Sequence, residues 1–217
     1  MGMVVRRLLD FISVRPCVSC GKPVPLKRDV NLCEGCADVV KRRGMHLSSP
    51  KTAVVSVLPY EKHARMAMFK FKFRNKKYYG YTFGRILSER LKTFDWWSDI
   101  DCIVCIPMKG RNRAYNQSAV IAEQVCEETN KPFNEKALIK VKKNPPFYTL
   151  KYEQRMRYIK DAFKIVDYDF IKGKNVLVID DIYTSGTTLR ECRRLLLVNG
   201  AQSVYCATVC YRTGIKK

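Results

Sequence analysis

Acidic residues are scarce in this chain: 20 Asp and Glu stand against 41 Lys and Arg in 217 residues, a formal net charge of +21. A surplus of that size calls for a polyanionic partner or a strongly anionic ligand. There is no run of about 20 apolar residues, which excludes a membrane-spanning helix. No secretory leader is recognisable either, because the first ten residues already contain Arg6, Arg7 and Asp10. Repeats and low-complexity tracts are missing, and so is any G-x-x-x-x-G-K-S/T loop of the Walker type.

The most telling stretch present is Val176–Gly200, VLVIDDIYTSGTTLRECRRLLLVNG. Its apolar, β-branched start suits a strand buried on both faces, and Leu recurs at helical spacing from Leu189. Between strand and helix lie Thr184, Ser185, Gly186, Thr187 and Thr188. Their hydroxyls and backbone N–H groups can converge at a helix N-terminus, where the unpaired donors and the dipole favour a phosphate. Asp180 and Asp181 stand at the end of the strand, where ligands of open α/β sheets bind. Two adjacent acids repel a phosphate, so they suit sugar hydroxyls or a hydrated Mg²⁺. The plain alternative is a tight strand-to-helix turn in which Asp181 and Thr184 serve as caps.

Ten cysteines are present, and four of them form a pattern: Cys17-Val18-Ser19-Cys20, then Cys33-Glu34-Gly35-Cys36. Two C-x₂-C pairs twelve residues apart match a closed four-thiolate site for structural zinc, or iron in its place, each pair forming a knuckle aided by Gly21 or Gly35. Cys102 and Cys105 repeat the spacing, but within an apolar run where alternate side chains point apart, so they read as core. Most of the remaining thiols also read as small buried hydrophobes, which implies a reducing cytoplasm. An apolar stripe at Val4, Val5, Leu8, Leu9, Phe11 and Ile12 offers a peripheral contact with the inner face of a membrane, or packing on its own domain.

Alternation of apolar strands and amphipathic helices predicts an α/β fold with a parallel sheet. The expected elements are helices at 4–12, 62–72, 79–92, 116–129 and 186–199, and strands at 53–58, 101–106, 137–141, 163–166, 174–180 and 203–210. Residues 1–50 are expected to be a small zinc-binding domain that folds on its metal, and 51–217 the α/β domain.

The segment from Val176 resembles the phosphoribosyl-pyrophosphate (PRPP) signature of type I phosphoribosyltransferases: a strand, two acids, and a small-residue loop. Upstream, Pro107-Met108-Lys109-Gly110-Arg111-Asn112-Arg113-Ala114-Tyr115-Asn116-Gln117 resembles an element of the ComF (competence protein F) family. A third stretch, Tyr148-Thr149-Leu150 with Arg155, Arg157, Ala162 and Phe163, is similar to that family's mobile-loop region, and a plain amphipathic helix over Tyr152–Tyr158 is the alternative. The resemblance implies a type I phosphoribosyltransferase-like sheet flanked by helices behind an N-terminal zinc knuckle. It assigns Asp180 and Asp181 to the ribose hydroxyls as the catalytic carboxylates, and Thr184–Thr188 to the 5′-phosphate. Lys109, Arg111 and Arg113 beside Gly110 suit the diphosphate, because guanidinium forks pair with phosphate oxygens and glycine lets backbone donors approach. Mg²⁺ would accompany PRPP.

Basic and aromatic residues interleave between Lys62 and Tyr81. Lys62, Arg65, Lys70, Lys72, Arg74, Lys76 and Lys77 alternate with Phe69, Phe71, Phe73, Tyr78, Tyr79 and Tyr81. That composition suits single-stranded DNA, with cations along the backbone and rings stacked on bases. A helix burying Ala64, Ala67, Met68 and Phe71 beneath a solvated basic face is the competing reading, and Lys142, Lys143, Arg193 and Arg194 are candidates to extend the surface. The favoured function is a PRPP-binding competence factor acting in DNA uptake, with single-stranded DNA and a helicase-like competence protein as partners. An active phosphoribosyltransferase is the alternative, although no general base or base-recognition hood is identifiable. A DNA-binding zinc protein with a relict sugar-phosphate site is a third reading.

Overall fold

The computed structural model describes residues 14–25, 30–43, 45–49, 52–108, 113–142 and 158–212. A hairpin of β1 (Val14–Pro16) and β2 (Pro23–Pro25) precedes α1 (Glu34–Arg43). Five strands form the central sheet: β3 (Met45–Ser49), β4 (Thr52–Pro59), β5 (Cys102–Cys105), β8 (Asn175–Tyr183) and β9 (Ser203–Tyr211). Their order is β3-β4-β9-β8-β5, with β3 antiparallel to β4 and the other pairings parallel. Helices α2 (Lys62–Phe73), α3 (Tyr78–Leu91), α4 (Gln117–Thr129) and α5 (Thr187–Val198) complete the α/β layers.

The central strands are apolar at successive positions because both faces are covered. In β8, Leu177 and Ile179 join one core with α2, α3 and α4, while Val176 and Val178 join the other with α5. Cys102 and Cys105 divide between these two cores, so they are buried on opposite faces, as expected from a strand.

Several expectations change in detail. The strands expected at 137–141 and 163–166 appear as β6 (Leu138–Lys140) and β7 (Phe163–Ile165), but they pair with each other in a separate antiparallel hairpin. With three residues each, they cover α5 rather than extend the main sheet. The strand expected to stop at residue 180 continues to Tyr183, because β9 supplies partners up to Tyr211. Edge strand β3 was not anticipated; it lies in the expected zinc-binding segment, yet it pairs with β4 of the central sheet. The helix expected at 4–12 and the membrane-contact stripe lie outside the described residues. Among those described, no helix is long and apolar enough to cross a membrane.

Helices α3 and α4 approach closely because α3 presents glycine. A Cβ on Gly84 would lie 2.5 Å from Gln124 Cβ and 2.8 Å from the Ile121 carbonyl oxygen, and one on Gly80 would lie 2.6 Å from Val120 Cγ1. Helix propensity alone favours alanine over glycine by about 1 kcal/mol. The packing reverses that sign: Gly84→Ala is expected to lower unfolding stability by about 1–3 kcal/mol through overpacking. Urea denaturation reads the sign directly, and a stabilised variant would show that the helices can separate at no cost.

Candidate functional site

Strand β5 ends at Cys105 opposite Ile179, so Asp180 and Asp181 pass beyond its pairing and keep only β9 as a strand neighbour. The space beside them is taken by the start of α4. Ser118 Oγ donates to Asp180 Oδ1 at 2.9 Å, and the Asp181 N–H donates to the same oxygen at 2.8 Å. Asn116 caps α4 by accepting from the Ser118 N–H, and its Nδ2 donates to the Ile106 carbonyl at 3.1 Å, fixing the helix start to the end of β5. Loss of water around Asp180, and then the charge of Asp181, push its pKa up to about 7, against the opposing pull of those hydrogen bonds and of Lys72.

Asp181 shares the strand parity of Leu177 and Ile179, whose side chains face α2. On that side it meets Lys72: Nζ lies 2.7 Å from Asp181 Oδ2, with the side chains 13% and 12% exposed. This corrects the sequence assignment of Lys72 to a nucleic-acid surface. The signal was present, since Lys72 follows Met68 by four residues and so lies only about 40° around the helix from a fully buried position.

The loop after β8 behaves as a helix-entry phosphate site would. Gly186 takes φ 69° as the N-cap of α5, a left-handed conformation that favours glycine, and a Cβ there would also press on the Tyr183 ring, 2.7 Å from its Oη. Ser185 Oγ and Thr187 Oγ1 are 2.9 Å apart. Asp180 and Thr184–Thr188 line one small recess of about 50 Å³ together with Ile182, Tyr183 and Leu189. Seven expected ligand positions, Asp180, Asp181 and Thr184–Thr188, are therefore brought to one end of β8.

Lys109, Gly110 and Arg111 lie outside the described residues, as do Tyr148–Arg157. The downstream flank of the basic loop is described. Tyr115 Oη donates to the Phe71 carbonyl at 2.6 Å, and its ring lies 5.5 Å from that of Phe71. The Arg113 guanidinium sits 5.3 Å over the Phe73 ring and donates to Gln117 Oε1. The last turn of α2 is thus held against both the loop flank and the acid pair.

The basic-aromatic stretch resolves into two faces. Phe71 and Tyr79 are core residues, not stacking platforms, while Phe69, Phe73 and Tyr81 are exposed. Lys62, Arg65, Arg74, Lys76 and Lys77 are also exposed. Arg193 and Arg194 do not extend this surface: they belong to α5, which packs on the opposite face of the sheet from α2. Arg193 donates to the Val204 carbonyl, and Arg194 is paired with Glu191. Lys142 donates to the Lys160 carbonyl, and Lys143 lies outside the described residues.

At the other end of the chain, the sulfurs of Cys17, Cys20, Cys33 and Cys36 all lie within 4.8 Å of one another. Cys20 and Cys33 are 3.6 Å apart. Four thiolates about 2.3 Å from a tetrahedral ion stand roughly 3.8 Å apart, so the donor set fits a metal such as zinc. Burial opposes the Cys17 thiolate, but the N–H groups of Cys20, Cys33 and Ser19 outweigh it and bring its pKa to about 7. Gly21, at φ 78°, provides the expected turn after the first pair. Gly35 does not: the second pair spans the first turn of α1, where no special glycine geometry is needed.

Comparison with known proteins follows this geometry. Residues 81–216 match the phosphoribosyl transferase domain. DNA utilization protein YhgH of Salmonella typhi is 23% identical over 206 residues, covering 89% of each chain. Competence protein F of Haemophilus influenzae is 24% identical over 142 residues, 62% of each. Among solved structures, glutamine PRPP amidotransferase from B. subtilis aligns over 59% of this chain and 25% of its own, at 21% identity and a TM-score of 0.42. Because the matched span takes in β8, the hydroxyl loop and α5, the chain belongs to the phosphoribosyl transferase family, as a ComF-like member carrying a four-cysteine cluster ahead of the matched domain.

Proposed function

We propose that this protein binds PRPP at the end of β8 and acts in DNA uptake or utilisation, contacting single-stranded DNA through the exposed face of α2. The observation that carries the reading is the single recess shared by Asp180 and the Thr184–Thr188 loop, with a left-handed glycine as helix cap. In this reading the loop N–H groups and hydroxyls take the 5′-phosphate, and Asp180 and Asp181 take the ribose hydroxyls. Lys109, Gly110 and Arg111 take the diphosphate, with which Mg²⁺ enters. Membership of a transferase family favours a second reading, transfer of the ribose phosphate to a nucleophile with release of pyrophosphate. The relatives' names, DNA utilization protein and competence protein, favour the DNA role. A helicase-like competence protein is proposed as a further partner. Residues 1–50 carry the zinc site, although β3 within them pairs with the central sheet, and 51–217 form the rest of the phosphoribosyltransferase-like domain of a cytoplasmic protein. Zinc held by Cys17, Cys20, Cys33 and Cys36 is structural, since four thiolates leave no open position.

Calorimetric titration of Mg²⁺–PRPP tests the site. Saturable binding is expected for the wild type and none for Asp180→Asn/Asp181→Asn, whose circular dichroism stays native; equal affinity in both would remove the ribose assignment. The single Asp180→Asn change carries a stability signature. Native Asp180 binds its proton more tightly than an unfolded Asp does, so its contribution to stability is complete below the ordinary carboxylate range and lost as pH rises through about 7. Asparagine can keep the acceptor for Ser118 without the charge. The variant should therefore melt higher than wild type by on the order of 5 °C at about pH 8, with no gain below about pH 4. A lower melting point at the alkaline end would mean that the charge stabilises the fold.

Cys33→Ser should release the metal, read by atomic emission, and loosen the N-terminal segment; full retention would count against a four-cysteine site. Charge reversal at Lys70 and Arg74 should weaken DNA binding and flatten its dependence on salt, whereas an unchanged salt slope would mark the face as merely solvated.

A further inference from the structure

Lys72 lies outside the 81–216 span that matches the family, yet it makes the one ion pair described at the acid pair. Its ammonium is 2.7 Å from Asp181 Oδ2, and only 13% of the side chain is exposed. Side-chain entropy and desolvation both oppose placing a lysine there. The helix turn that carries it is fixed from three directions. Phe71 is buried against Phe83 and Tyr115, the Tyr115 hydroxyl donates to the Phe71 carbonyl, and Arg113 lies over Phe73. Lys72 therefore projects from a rigid support.

The hydrogen bonds divide the carboxylates in a particular way. Asp180 uses Oδ1 for both Ser118 and the Asp181 N–H, and Asp181 uses Oδ2 for Lys72. Among the described residues, Asp180 Oδ2 and Asp181 Oδ1 are left as acceptors, one from each acid. The two acids alternate across β8, Asp180 toward the recess of the hydroxyl loop and Asp181 toward α2, so each keeps one acceptor at the end of the strand.

We infer that Lys72 is the positioning residue of the acid pair: its ammonium offsets the pair's charge and orients Asp181 so that one oxygen of each carboxylate is presented to the sugar diol. The assignment rests on the PRPP reading of the site. Lys72 touches no reacting atom in this account and acts through Asp181. The groups facing the acids from each packed element are Lys72 on α2, Ser118 on α4, Cys105 on β5, Cys192 on α5, and Cys206 and Cys210 on β9. Burial pushes all four thiols upward, so they stay neutral between about pH 6 and pH 8 and leave Lys72 as the described cation that opposes the carboxylates.

The test titrates Mg²⁺–PRPP into full-length wild type, Lys72→Gln and Lys72→Arg across that pH range, with thermal melts confirming that each variant is folded. Because PRPP itself protonates near neutrality, the readout is the wild-type to variant affinity ratio at each pH, in which the ligand's own titration cancels. Lys72→Gln should bind at least about tenfold more weakly at pH 7, with a loss that grows as pH falls, since removing the cation lets Asp180 hold its proton to higher pH. Lys72→Arg keeps the charge and should stay within roughly threefold of wild type. A Lys72→Gln ratio near one at every pH would overturn the assignment, and so would a pH-independent loss shared by Lys72→Arg, which would mark a packing role alone. Tighter binding by Lys72→Gln would also overturn it, by showing that the ammonium blocks the acid. If wild type binds no PRPP at any pH, the reading of the site fails and this inference with it; if wild type binds and the Asp180→Asn/Asp181→Asn variant does not, only the role of Lys72 is at stake.

Discussion

Placing two carboxylates in sequence at the end of a strand buried on both faces is the constraint around which the rest of the molecule is arranged. Ionised acids this close repel, and the strand offers them little water. The fold answers with specific donors rather than exposure. Strand β5 stops one residue pair short of them, the capped start of α4 brings Ser118 to Asp180, and α2 brings Lys72 to Asp181. Asp180 still stays well above an ordinary aspartate, with a pKa of about 7. That residual cost is what a binding site stores when its acceptors are left partly unpaired for a ligand.

Helix α2 does two jobs that its composition runs together. Ala64, Ala67, Met68 and Phe71 form its buried stripe, and Lys72 at the margin of that stripe turns inward to the acids. Phe69 and Phe73 point outward, with ring centroids 5.3 Å apart, among exposed basic side chains. The last turn of one helix therefore touches the sugar-phosphate end of the sheet on one side and carries the proposed nucleic-acid face on the other. Tyr115 and Arg113 tie that turn to the flank of the basic loop, so the two surfaces share a rigid support.

The cysteine cluster is joined to the same body. Cys17, Val18, Val24, Leu32 and Val40 belong to the core that also contains Phe83, Ile86 and Leu87 of α3. Gly21 stands so close to the His63 ring of α2 that a Cβ there would clash with it at 2.3 Å. A segment too small to bury a core of its own borrows one, and a metal at the four sulfurs would fix the hairpin and α1 in the conformation that docks.

Sequence alone determined the elements and their chemistry. Periodicity located β4, β5, β9 and all four helices flanking the sheet to within a residue or two, and β8 but for its last three residues, because two-sided burial and amphipathic stripes write themselves into the residue pattern; edge strand β3 was not among them. Adjacent acids followed by a glycine-centred hydroxyl loop gave the site, and C-x₂-C spacing gave the metal cluster, because both are local in the chain. What crossed between elements was decided only by tertiary structure. The ion pair of Lys72 with Asp181 and the bond from Ser118 to Asp180 join residues 109 and 62 positions apart, and no local pattern encodes such a meeting. Phe71 and Phe73, by contrast, were separable in sequence, because only Phe71 falls on the stripe of Ala64, Ala67 and Met68 that the helix buries. The hairpin of β6 and β7 was likewise visible as strands, but its separation from the main sheet depends on backbone pairing, which is chosen by three-dimensional proximity and not by the composition of either strand.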